Sequence, residues 1–94
     1  MKLLKYLRFN RLAKIWKRET VFLSYGCNHW AYQEIIKMGP IVLPWIFKRM
    51  RKQPDHWFAA LAEITGESPI PEEDRGKVEK MTELWLEWAK KRGM

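Results

Sequence analysis

The sequence predicts an all-α fold, a single compact domain of about five helices, and three observations carry that prediction. Apolar residues recur at spacings of three and four along most of the chain. Glycines and prolines stand between those periodic stretches, where helices stop and start. No stretch alternates apolar and polar residues long enough to make a strand. The length of 94 residues is that of one domain. It allows a real core but not large functional cavities as well.

The first helix is expected from about Lys2 to Glu19, a basic N-terminal element within residues 1–20. Phe9, Leu12, Ile15 and Trp16 make its apolar face, and Arg8, Arg11, Lys14 and Arg18 lie three and four apart on another. Thr20 to Tyr25 is either a linker or an extension of that helix. Gly26 breaks the chain, and Asn28 stands where an N-cap belongs. The second helix should run from about His29 to Met38, with Tyr32, Ile35 and Ile36 buried. Gly39 then suits the left-handed position after a helix, and Pro40 the first position of the next.

That third helix extends to about Lys52. Val42, Leu43, Ile46, Phe47 and Met50 form its apolar face, and Lys48, Arg49, Arg51 and Lys52 crowd its last turn, where the helix dipole favours cations. Pro44 either delays the regular helix or bends it. Asp55 is the expected N-cap of a fourth helix, His56 to Thr65, with Trp57, Leu61 and Ile64 inward and Gly66 ending it. Residues 28–66 are thus the helical core. Residues 67–76 should form an acidic, Pro-rich loop, ordered but irregular. The last helix occupies 77–92, with Val78, Met81, Trp85 and Trp88 at helical spacing and Leu84 alongside.

Charge is unevenly spread. Residues 1–20 carry seven basic side chains and one acidic, whereas residues 54–79 carry seven acidic and two basic. A basic first half suits an anionic partner: nucleic acid, a membrane surface or an acidic protein face. The plain alternative is a solvated helix surface rich in Lys and Arg. The single cysteine excludes an internal disulfide and points to a reducing, cytoplasmic setting. No apolar run reaches the roughly 20 residues of a membrane span, and no signal-peptide cleavage pattern is read at the N-terminus.

Catalytic chemistry finds little footing. Cys27 and His29 are two residues apart, a spacing that neither helix nor strand turns into a facing pair. Cys27, His29 and His56, with Asp55, would give a metal at most four scattered ligands and no paired motif. Glu72, Glu73 and Asp74 precede a helix, whose dipole favours acids there. No Gly-rich loop cradles phosphate. Neither a catalytic residue, a metal nor a cofactor is expected.

Six tryptophans are the most unusual feature. Trp16, Trp57, Trp85 and Trp88 share helical spacing with other apolar residues and read as core. Trp30 follows His29 at a helix start and Trp45 follows Pro44, so each marks a contact surface if exposed.

Ala31-Tyr32-Gln33-Glu34-Ile35-Ile36-Lys37-Met38-Gly39, Leu43-Pro44, the block Pro54-Asp55-His56-Trp57-Phe58-x-Ala60-Leu61-x-x-Ile64-Thr65-Gly66, and the tail Arg75-Gly76 with Trp85-Leu86-x-Trp88 resemble a family of small all-helical bacterial proteins. With Trp16, Glu19 and Thr20 the likeness covers most of residues 16–94. Family members often have Pro where this chain has Trp30, and a more acidic third helix. The resemblance implies a HEAT-like antiparallel helical hairpin with flanking helices, a binding face rather than an activity. By analogy it suggests a mobile-element, toxin–antitoxin or phage-defence context.

The expected function is a non-enzymatic accessory module that binds a larger protein, one that handles nucleic acid. Trp30 and Trp45 would be its anchors, and Lys48, Arg49, Arg51 and Lys52 its charged rim. The alternative is direct binding of DNA or RNA through Arg8, Arg11, Lys14 and Arg18. A small enzyme or metal protein built on Cys27, His29 and His56 is the third. No membrane partner is expected, and oligomeric state is not legible.

Overall fold

The computed structural model describes residues 2–20 and 28–94. Five α-helices follow one another: α1 (Lys2–Glu19), α2 (Trp30–Lys37), α3 (Leu43–Lys52), α4 (Phe58–Thr65) and α5 (Val78–Lys91). There is no strand among the described residues. The fold is all-α, as the periodicity predicts. Pairing does not simply follow chain order: α2 packs chiefly on α1 and α4, and α3 chiefly on α5.

The apolar stripes become one hydrophobic cluster. Phe9, Leu12, Ala13 and Trp16 of α1 meet Ala31, Tyr32 and Ile35 of α2, and Ile46, Phe47 and Met50 of α3 join them. Trp57, which is 1% exposed, sits at the centre. Its ring lies 4.7 Å from that of Trp16, 5.8 Å from that of Phe9 and 5.9 Å from that of Tyr32. Trp85 is buried too, with Trp88 5.4 Å away and half-covered.

The helix ends show where local chemistry decides and where it does not. Gly39 has φ +80 and Gly66 has φ +70, the left-handed geometry that stops α2 and α4. Nothing stands within 4 Å of where a Cβ would be at either glycine, so only backbone conformation demands the residue. Pro44 delays α3: a 3-10 turn over Gly39–Val42 comes first, and the α-helix begins at Leu43.

Two expected caps are corrected. The N-cap of α2 is His29, not Asn28: its Nδ1 accepts from the Ala31 N–H at 3.0 Å. Asp55 stands too early to cap α4, which begins at Phe58 with Trp57 in the N-cap position and no side-chain cap of its own. Asp55 instead accepts from the His56 N–H and pairs with Lys17. The orphan N–H of Ala60, in the first turn of α4, is satisfied from another helix. The buried Tyr32 hydroxyl accepts from it at 2.9 Å and donates to the His56 carbonyl at 3.0 Å.

The loop over residues 67–76 is held by buried and paired side chains. Ile70 is buried, and Glu72–Asp74 form a 3-10 turn. The Glu67 carboxylate accepts from Trp88 Nε1–H and from Arg92, both at 3.2 Å, and Arg92 lies 3.9 Å above the Trp88 ring. The loop is thereby tied to the end of α5. The segment from Val21 to Cys27 falls outside the described residues, and with it the linker reading of Thr20 to Tyr25 beyond Thr20, the break at Gly26 and the Cys27 thiol.

Candidate functional site

Helix α1 shapes most of the candidate surfaces: α2 packs along one of its flanks, and side chains from α3 reach it on the other. On the α2 flank, Arg8 meets Glu34 at 3.2 Å and Glu19 meets His29 at 2.8 Å. On the α3 flank, Tyr6 touches Trp45, Asn10 accepts from Arg49, and Lys17 pairs with Asp55. Between the flanks α1 faces outward.

That outward face combines two chemistries. Leu4, Leu7, Arg11, Lys14 and Arg18 succeed one another at steps of three and four, so they form one stripe down the helix. Leu3, Leu4 and Leu7 are 63%, 65% and 53% exposed. Arg11, Lys14 and Arg18 are exposed in the following turns. The four cations expected to act together therefore divide. Arg8 is turned to Glu34, while Arg11, Lys14 and Arg18 share the outer stripe. The leucines are residues that sequence reasoning missed. Their signal was an offset of well over a right angle from the Phe9–Leu12–Trp16 face.

The expected rim on α3 also divides. Arg51 donates to the Met94 carbonyl oxygen and belongs to the α5 side. Lys48, Arg49 and Lys52 face α1, where they and Tyr6, Asn10 and Trp45 line a groove of about 230 Å³ floored by Phe9. A second hollow of about 200 Å³ continues it through Arg49 and Lys52 to Lys17 and Asp55. Arg49 donates to Asn10 Oδ1 at 3.0 Å and stands 5.5 Å over the Phe9 ring, both neutral partners. Among the described residues no carboxylate pairs with Lys48, Arg49 or Lys52.

The groove's cations therefore lack a carboxylate partner among the described residues, and Tyr6 feels their field in part. The hydrogen bond with the adjoining Asn10 side chain and then the Lys48 cation hold its phenol below the ordinary tyrosine value of 10.0; burial opposes them, and Arg49 and Lys52 add lesser lowering effects. A lowered folded value means the phenolate is stabilised by the fold. The resulting stability is present above the unfolded value and lost as pH falls through the folded one. Phenolate absorbance should thus show Tyr6 titrating early, as the step missing from Tyr6→Phe. In Lys48→Gln/Lys52→Gln that step should move to higher pH, and an unmoved step would contradict the positive groove.

The anchors differ. Trp30 is 55% exposed at the start of α2, its ring 5.7 Å from that of His29. Trp45 is half-buried, its ring 5.2 Å from that of Tyr6 and 5.8 Å from that of Phe9. His29 is occupied structurally. Its Nδ1 accepts from Ala31, so Nε2 carries the proton and donates to Glu19. His56 is exposed, edge-on to Phe58 at 6.3 Å. Among the described residues no three of His, Cys, Asp and Glu gather to hold a metal, and no helix is long and apolar enough to cross a membrane.

The acidic loop does not lie over the basic groove by any ion pair: Glu67 pairs with Arg92 and Asp74 with Lys77. No family model, curated protein or solved structure matches the chain.

Proposed function

We propose that this chain is a cytoplasmic, non-enzymatic accessory module that docks on a larger protein of a nucleic-acid-handling complex. One observation supports this most: the outer face of α1, where exposed Leu3, Leu4 and Leu7 give way to exposed Arg11, Lys14 and Arg18. Clustered exposed leucines are costly to leave in water, and on a small domain they mark a contact surface. Leu3, Leu4 and Leu7 suit an apolar pocket of the partner, and Arg11, Lys14 and Arg18 an acidic rim beside it. Trp30 lies towards the other end of α1, where His29 meets Glu19, and serves as a second anchor.

A bilayer fits this face less well. An interfacial helix keeps an apolar face along its length, whereas this stripe is apolar for its first two turns only. A second copy fits less well too, because the stripe carries like charge on a chain of net charge +7. Phosphate binding by the same stripe gains nothing from leucines, and Arg8 is already paired with Glu34.

The test is affinity capture from the native host after nuclease treatment, comparing the wild type with Leu4→Glu/Leu7→Glu. Both leucines are more than half exposed, so the variant should fold. A stoichiometric protein retained after nuclease and lost in the variant is the expected result. Equal capture by the variant, or co-sedimentation of wild type with anionic vesicles in place of any protein, overturns the reading.

A further inference from the structure

The groove between α1 and α3 is a different face with different chemistry, and it does not depend on the protein-docking reading. Two aromatic rings form one end of it. Tyr6 and Trp45 are both half-buried, meet edge to face at 5.2 Å, and both line the groove. Lys48, Arg49 and Lys52 line it without a carboxylate partner among the described residues. Beyond Lys52 the track reaches Lys17, whose charge Asp55 offsets, so the positive end is the Tyr6–Trp45 end. Tyr6 and Lys17 are eleven residues apart on α1, about 16 Å at the helical rise.

We propose that this groove binds a single strand of nucleic acid. One base stacks on the Tyr6–Trp45 rings, and the adjoining phosphates lie against Lys48, Arg49 and Lys52. Stacking asks only for a π-face and so favours no base strongly, while the cations take the backbone. The hollow is concave and walled by two helices. A duplex would have to be met by a protruding element, which the groove is not. Arg49 is preorganised to meet a phosphate, because Asn10 and the Phe9 ring hold its guanidinium without neutralising it.

The test is fluorescence anisotropy with a short labelled oligo(dT), at rising salt, on the whole chain. With about three phosphates neutralised, log affinity should fall with log salt at a slope near −2. Lys48→Gln/Lys52→Gln should weaken binding about tenfold or more. Arg11→Gln/Lys14→Gln removes the same charge from the outer face and should change it little. Tyr6→Ala should cost about tenfold, with the thermal melt by circular dichroism confirming an intact fold; Trp45→Phe, which keeps a ring in place, should cost less than Tyr6→Ala. Equal losses from the two double variants would show diffuse attraction and overturn the proposal. So would equal affinity for the same sequence as a duplex, or full competition by inorganic phosphate alone.

Discussion

Replacing Trp57 with alanine is expected to bring the domain to the edge of unfolding. Trp57 is 1% exposed and stands where α1, α2 and α4 converge, within 6 Å of the rings of Trp16, Phe9 and Tyr32. Truncating such a residue removes its transfer free energy and leaves a cavity, at a cost of about 3–5 kcal/mol. A domain of this size has about 5–15 kcal/mol in all. Thermal denaturation followed by circular dichroism should show the Tm falling by more than about 10 °C. Trp57→Phe, which keeps one ring against Trp16, should lose clearly less. A fall of only a few degrees in the alanine variant would mean that the neighbouring rings close the space, and that Trp57 is not the centre of the core.

The second large effect is expected from removing one oxygen. Tyr32→Phe keeps the ring but leaves the Ala60 N–H and the His56 carbonyl without the hydroxyl that serves both. Buried groups stripped of their partner cost about 1–3 kcal/mol. The loss should be local as well as global. Amide exchange at Ala60 should speed up before exchange in α1 does. Asp55→Ala is the informative comparison, since Asp55 is the residue that sequence chemistry nominates as the cap. In the structure it serves only the His56 N–H and the Lys17 ion pair. Its removal should cost less than about 1 kcal/mol, the range of a partly exposed pair. A larger loss from Asp55→Ala than from Tyr32→Phe would reverse the assignment of the α4 cap.

Both predictions concern residues whose burial the sequence made legible but whose partners it did not. Periodicity placed Trp57 and Tyr32 inward because a 3.6-residue repeat leaves one face for the core. It carried no information on which helix each would meet. The same holds at the surface. Lys48, Arg49, Arg51 and Lys52 are adjacent in sequence and read as one rim. A helix rotates about 100° per residue, so they fan out: Arg51 goes to the α5 side, and the others face α1. Arg8, Arg11, Lys14 and Arg18 divide for a different reason. All are near one side of α1, but the arrival of α2 with Glu34 takes Arg8 out of the set. Leu3, Leu4 and Leu7 passed as ordinary helix residues, because their exposure depends on α1 having both flanks filled and its outer face left bare.

The sequence by itself determined the all-α class, the span of α1, the stops at Gly39 and Gly66, and the aromatic composition of the core. These follow from nearest-neighbour rules: helical period, left-handed glycine, and the fixed φ of proline. Only the tertiary structure decided that Tyr32 caps α4, that Glu67 ties the acidic loop to Trp88 and Arg92, and that Tyr6, Trp45, Lys48, Arg49 and Lys52 share one groove. Those contacts join residues far apart in the chain. They exist because α2 packs on α4 as well as on α1, the loop folds back on the end of α5, and side chains of α3 meet α1, an arrangement selected by the burial of whole faces and not encoded in any local spacing.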